Sequence, residues 1–170
     1  MCLQGCEEEF DPQYHTEEKA KADSEAFYKA GQGKMGTNEK KMFEIICFSP
    51  PQHLRAVGAD YADKRGYTLS KALEKELGSG VEDAGLFIVG MKLKPYETIA
   101  NLIKKSCKGF GTDELLLTAC IVRYQNILHQ VMIAYIELFG KTIQDLVKEE
   151  TGGDYRKLLL TLLDRVMPRE

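Results

Sequence analysis

Apolar positions recur along the chain with a helical period, in short bursts bounded by glycine, proline or a capping residue. In the first half, Ala26, Phe27 and Ala30 close a helix that ends at Gly31, and Met42, Phe43, Ile45 and Ile46 give the apolar face of a second. Ser49-Pro50-Pro51-Gln52 reads as a capping signal, with serine at the cap, proline in the first turn and glutamine at the third position. The helix it opens carries Leu54, Val57 and Tyr61 on one stripe and stops near Gly66. Thr68 caps a short helix through Leu69 and Leu73, and beyond Gly78-Ser79-Gly80 the residues Val81, Ala84, Phe87, Ile88 and Met91 line a fifth. The second half repeats the order. Ile99, Leu102 and Ile103 come first; Leu115 to Val122, apolar on nearly every face, is expected to be the most buried helix. Ile127, Leu128, Val131, Tyr135 and Leu138 follow, and Thr142 with Asp145 caps Ile143 to Lys148. After Gly152-Gly153, Tyr155, Leu158, Leu159, Leu162 and Val166 complete the set. Nothing alternates over a strand's length, so the chain is predicted to be all-α, with ten helices and no sheet.

The repetition extends to individual residues. Gly36-Thr37-Asn38-Glu39 returns as Gly111-Thr112-Asp113-Glu114, and Gly66, Leu69, Glu76 and Val81 are matched by Gly140, Ile143, Glu150 and Tyr155 with a slip of a single residue. The predicted organisation is an acidic leader over 1–20, expected to be flexible, and two similar units of five short helices over 21–91 and 92–167.

Charge and cysteine content narrow the function classes. The chain of 170 residues has a formal charge of −3. The leader, with Glu7, Glu8, Glu9, Asp11, Glu17 and Glu18 against Lys19, leaves the body near neutrality, so a generic nucleic-acid binder is excluded and an anionic partner must be held locally. Five cysteines in no zinc-like grouping suit a reducing compartment: Cys2 and Cys6 fall in the leader, while Cys47, Cys107 and Cys120 read as core or near-core residues. No apolar run reaches the roughly 18 residues that cross a bilayer, and the N-terminal stretch has no signal-like pattern. The expectation is a cytoplasmic protein.

Two glycine loops carry the candidate chemistry. In Cys107-Lys108-Gly109-Phe110-Gly111-Thr112, Gly109 and Gly111 let the backbone fold sharply and turn carbonyl oxygens outward. Outward carbonyls with one carboxylate make a hard-cation site of the kind calcium occupies, and Glu150 is the repeated carboxylate, with Glu76 as its counterpart. So short a protein shell leaves coordination positions that a phosphate oxygen can fill. The same residues also suit plain helix ends and solvated glutamates. Phe110, and Met35 in the matching place, suit shallow membrane insertion beside Lys108 and Lys34, or burial under neighbouring loops.

Gly109-Phe110-Gly111-Thr112-Asp113-Glu114, with Leu138-Phe139-Gly140, Glu150 and Gly153-Asp154-Tyr155, resembles the annexin repeat. Ala30-Gly31-Gln32-Gly33-Lys34-Met35-Gly36-Thr37 is similar to the longer loop of the third of the four annexin repeats, so the chain resembles repeats three and four. The resemblance implies calcium-dependent, reversible binding to anionic phospholipid surfaces through convex-face interhelical loops, at the inner face of membranes. It implies calcium ligands in the carbonyls of Gly31, Lys34 and Gly36 with Glu76, and in those of Cys107, Gly109 and Gly111 with Glu150. It also implies membrane contact at Met35, Phe110, Lys34 and Lys108. Divergence is expected in helix packing, around Ser49-Pro50 and Arg123-Tyr124-Gln125. Because annexins ordinarily carry four repeats, two alone leave apolar faces uncovered, and a homodimer restoring a four-repeat body is expected.

Two rivals stand beside this reading. An enzyme finds little support: His15, His53 and His129 are scattered, His15 in the leader and the other two on helices as surface or partly packed residues, Gly31-Gln32-Gly33-Lys34 lacks the strand and spacing of a phosphate loop, and no EF-hand spacing exists. The alternative is a helical protein-interaction or cytoskeleton-associated module whose membrane binding is weak or lost.

Overall fold

A computed structural model describes residues 7–32, 36–109 and 111–166. Among them are ten α-helices and no strand: α1 (Glu17–Gly31), α2 (Glu39–Phe48), α3 (Pro51–Arg65), α4 (Leu69–Glu76), α5 (Val81–Leu93), α6 (Pro95–Ser106), α7 (Glu114–Arg123), α8 (Leu128–Phe139), α9 (Ile143–Glu150) and α10 (Gly153–Arg165). The all-α expectation of two five-helix groups holds. The chain divides into two compact units, 1–93 with α1–α5 and 94–170 with α6–α10.

In the first unit α1 packs along α3 and against α2, while α4 and α5 pack together. Its core includes Phe27, Met42, Ile46, Leu54, Val57, Tyr61 and Leu73. The Phe27 and Tyr61 rings meet edge-on at 5.6 Å, and complete burial of such side chains contributes roughly 1.5–3 kcal/mol each. The helix ends are local: Thr16 caps α1, Asn38 caps α2 and Thr68 caps α4, each through its side-chain oxygen. Ser49 departs from its predicted role. It closes α2 through its N–H, and Pro50 occupies the cap of α3 without a side-chain bond. With Pro51 as the first helical residue, the serine lies one position too far back to cap.

The fifth helix is turned relative to the stripe expected for it. Gly85 and Val89 are its buried residues, whereas Val81 and Ala84 are exposed. A Cβ at Gly85 would lie 3.3 Å from both Leu73 methyl carbons, so the glycine lets α5 close on α4 where a larger residue would hold it off.

In the second unit α6 packs against α7 and α8, and α10 against α7 and α9. The expectation that α7 is the most buried helix fails. Only Leu117, Cys120 and Ile121 are buried there, while Leu115 is 82% exposed and Val122 51%. Neighbours cover one face of this ten-residue helix, and sequence hydrophobicity cannot say which. The deeper burial is in α8, with Leu128, Val131, Met132, Ala134 and Tyr135.

Residues 7–16 lie against the first unit. The Glu8 N–H donates to the Phe48 carbonyl at 2.9 Å, and Glu7 pairs with Lys92 at 2.8 Å. Lys92 also donates to the carbonyls of Cys47 and Ser49, at 2.7 and 2.6 Å. His53, expected at the surface or partly packed, is buried, as is His15, and their rings lie 4.8 Å apart. Phe10 stacks on His15, and His53 Nε2 contacts the Asp23 carboxylate at 2.8 Å. Sequence spacing hid this pair because 38 residues separate its members.

Candidate functional site

Each unit brings its glycine loop to the glutamate at the end of its fourth helix. In the first, α1 ends at Gly31, and the Asn38 N–H donates back to the Ala30 carbonyl at 2.7 Å, closing the loop. Thr37 Oγ1 lies 3.3 Å from the Glu76 carbonyl and 3.5 Å from its Oε2, so the hydroxyl fastens the loop to the glutamate. Gly31 lies against the same side chain: a Cβ there would come within 3.0 Å of Glu76 Cγ and 3.6 Å of Oε2. Glycine is what allows the end of α1 and the carboxylate to share this space.

The second unit repeats the closure. The Asp113 N–H donates to the Ser106 carbonyl at 2.7 Å, and the Asp113 side chain caps α7 through the Leu116 N–H at 2.9 Å. Thr112 Oγ1 donates to the Glu150 carbonyl at 2.9 Å. By these closing bonds Ala30 corresponds to Ser106, so Gly31 corresponds to Cys107 and the first loop is longer by one residue. Gly36, Gly109 and Gly111 have φ of 106°, 113° and 94°, a region L side chains rarely enter, with open space where a Cβ would be. Glu76 is half-buried, whereas Glu150 is exposed.

The structure thus places Gly31 against the Glu76 side chain and Thr37, next to Gly36, on the same glutamate, while in the second unit the contact runs from Thr112, next to Gly111, to the Glu150 carbonyl. Lys108 is exposed; Lys34, Met35 and Phe110 lie outside the described residues. The donor set is hard oxygen, carbonyls and one carboxylate per loop, which fits calcium. It does not fit a soft metal, and no group of three or more His, Cys, Asp and Glu side chains that could hold an ion occurs among the described residues. Cys107 is buried, and burial pushes its thiol pKa up, so it offers no thiolate to the loop.

The sequence reading missed Thr37 and Thr112 as the hydroxyls that join loop to glutamate. Their recurrence inside the repeated tetrad was the available signal. It also missed a tyrosine relay in the first unit. The Tyr61 hydroxyl lies 3.5 Å from that of Tyr67, which donates to Gln32 Oε1 at 2.8 Å. Lys75 Nζ lies 3.8 Å from the centre of the Tyr67 ring. Nothing in local pattern marks these residues, which come from three separate helix ends.

The annexin family profile matches residues 22–88 and 99–162, one stretch in each unit. The chain belongs to the annexin family. Annexin A7 of Dictyostelium discoideum is 32% identical over 142 residues, covering 83% of this chain and 31% of that protein. Among solved structures, annexin III superposes with a TM-score of 0.81 at 29% identity, over 87% of this chain and 46% of its own. A calcium-bound annexin, (Sm)1, superposes with a TM-score of 0.74 at 26% identity, over 87% and 40%. The chain therefore spans between about a third and half the length of these annexins. Annexins are non-catalytic membrane-binding proteins, so the chain is not an enzyme, and family membership supports calcium and phospholipid binding in general. No helix among the described residues is long and apolar enough to cross a membrane.

Proposed function

We propose that this annexin chain binds anionic phospholipid surfaces through calcium held at its two glycine loops. The carbonyls of Gly31, Lys34 and Gly36 with Glu76 would hold one ion, and those of Cys107, Gly109 and Gly111 with Glu150 the other. Calcium bound there would supply open coordination positions for lipid phosphate oxygens. The observation that carries the reading is the threonine latch found in both units, Thr37 to Glu76 and Thr112 to Glu150. In each unit it joins the glycine loop to a glutamate nearly forty residues away, through the carbonyl and carboxylate of Glu76 and through the carbonyl of Glu150.

Around those positions the chain's own residues divide the work. Thr37 and Thr112 keep loop and glutamate in register, while the positive-φ glycines leave the approach from solvent open. Lys34 and Lys108 would meet anionic headgroups, with Met35 and Phe110 as shallow apolar anchors. The longer first loop supports assigning the units to repeats three and four. The location that follows is cytoplasmic, reversibly at the inner face of membranes. Co-sedimentation with phosphatidylserine vesicles tests the reading. Calcium-dependent pelleting lost in the Glu76→Gln, Glu150→Gln double variant is expected, and a folded wild-type chain that stays in the supernatant at millimolar calcium would refute it.

One observation favours a role in protein interaction as well. Leu115 and Val122 of α7, Ile133 and Ile136 of α8 and Leu158 of α10 are exposed. The occupant this reading assigns to them is a second copy of the chain, giving a four-repeat homodimer. A stable monomer by light scattering at micromolar concentration would overturn that assignment.

A further inference from the structure

The two units brace their loops differently, and the difference singles out Tyr67. This residue follows Gly66 in the turn between α3 and α4 and is half-buried against the core. On one side its hydroxyl donates to Gln32 Oε1 at 2.8 Å, and Gln32 directly follows Gly31. On the other side its ring lies under Lys75 Nζ at 3.8 Å, and Lys75 directly precedes Glu76. Below it, the ring meets Tyr61 edge-on at 5.7 Å, and the hydroxyls of the pair are 3.5 Å apart. Tyr61 itself is fully buried in the core. Tyr67 therefore touches the chain neighbour of the loop's first proposed ligand, the chain neighbour of its carboxylate, and the rigid interior.

Among its described residues the second unit has no such brace. Gly140 and Thr142 correspond to Gly66 and Thr68, which places Lys141 where Tyr67 stands. Lys141 pairs with Glu149, the counterpart of Lys75, at 2.6 Å. Tyr135, the counterpart of Tyr61, has a buried hydroxyl with no hydrogen-bond partner among the described residues. One unit thus ties its loop and its glutamate helix to a single tyrosine packed on the core, by hydroxyl and by ring, whereas among the described residues the other ties its glutamate helix by a half-exposed ion pair.

We propose that Tyr67 is a positioning residue for the calcium site of the first unit, setting the Gly31–Gln32 turn and the Lys75–Glu76 helix end at their working separation. The proposal rests on the reading of the Glu76 loop as a calcium site. A ligand pair held in place before the ion arrives loses less freedom on binding, and groups behind the ligands commonly change metal affinity severalfold.

The test uses the full chain carrying Glu150→Gln, so that only the first site takes up calcium, with binding followed by calorimetric titration. Tyr67→Phe keeps the ring and the Lys75 contact but removes the hydroxyl, and with it the bond to Gln32 and the longer contact from Tyr61. It is expected to weaken calcium binding between about twofold and tenfold, the range of one neutral hydrogen bond. Gln32→Ala, which leaves the Tyr61 contact in place, should reproduce the loss in calcium affinity, and the double variant should weaken binding by less than the sum of the two, because the bond between Tyr67 and Gln32 is lost in each. In the reciprocal Glu76→Gln background, Tyr67→Phe should leave the second site's affinity unchanged, which a general loss of stability would not. Unaltered affinity in the Glu150→Gln background, or an equal loss at both sites, overturns the positioning role. Absence of calcium binding in the unsubstituted chain overturns that role together with the calcium reading, whereas binding that ignores Tyr67→Phe leaves the calcium reading standing.

Discussion

The two units are variations on one sequence theme, and they differ most where they would be expected to agree, around the loop and its glutamate. In the first unit Glu76 is half-buried, a hydroxyl lies near its carboxylate, and Gly31 fits against its stem. In the second, Glu150 is exposed, and the latch holds its carbonyl. The same proposed ligand types would thus be presented by a stiff frame in one case and a looser one in the other. Identity of ligands does not entail identity of sites, because affinity depends on how much ordering remains to be done when the ion binds.

The largest effect should come from removing each carboxylate alone. Glu76→Gln and Glu150→Gln should each remove one of the two proposed calcium sites in a titration of the full chain. The site left by Glu76→Gln should be the more salt-sensitive, because the Lys141–Glu149 pair that steadies it is exposed and screened. Equal salt dependence of the two residual sites would erase the contrast. Next comes Gly31→Ala, which forces a Cβ against the Glu76 stem. It should lower first-site affinity severalfold, whereas Cys107→Ala, at the matching place where a Cβ already exists, should leave second-site affinity unchanged. Titration of both variants sharpens the comparison directly.

Smaller effects lie beneath the loops. Tyr61→Phe removes a hydroxyl that has a partner and should cost about 0.5–1 kcal/mol in urea unfolding, while Tyr135→Phe removes one without a partner and should be neutral or stabilising. Burial pushes the Tyr135 hydroxyl pKa up to about 12, so its protonation does not enter at neutral pH. The smallest effect concerns acid. Burial works to raise the Asp23 pKa, but hydrogen bonds from Lys19 and His53 outweigh it and hold the carboxyl below its ordinary value. A depressed folded pKa means the contribution is present above the ordinary value of 3.8 and fades as pH falls through the folded one. The stability gap between parent and Asp23→Asn should therefore be wider at pH 7 than at pH 3, and a constant gap would show that the carboxylate charge contributes nothing.

What could be read from the chain follows the range of the interactions. Caps at Thr68 and Thr142, stops at Gly66 and Gly140 and the recurring tetrad are decided within a few residues, so they were legible. Glu76 and Glu150 were legible too, though remote, because the repeat printed each of them twice. Contacts made once were not: Tyr67 with Gln32 spans 35 positions and occurs in one unit only. The orientation of α7 escaped for another reason. An apolar helix has no preferred face until its neighbours supply one, so Leu115 and Leu117 look alike in sequence and differ completely in burial. Ser49 shows the limit of local rules themselves, since a second proline displaced the cap by one residue.

Residues 7–16 alter what should be counted as one piece of this protein. The family match begins at residue 22, yet α1 starts at Glu17, its cap is Thr16, and Glu7 and Glu8 are bonded to Lys92 and Phe48. The stretch that the family profile matches is therefore shorter than the stretch that folds. Cutting at the alignment boundary would strip the cover from His53, leave a lysine at the end of α5 without its carboxylate, and remove the first turn of a helix whose last residue is a proposed ligand. Evolutionary modules and physical ones need not share their edges, and here the physical one reaches some fifteen residues further back.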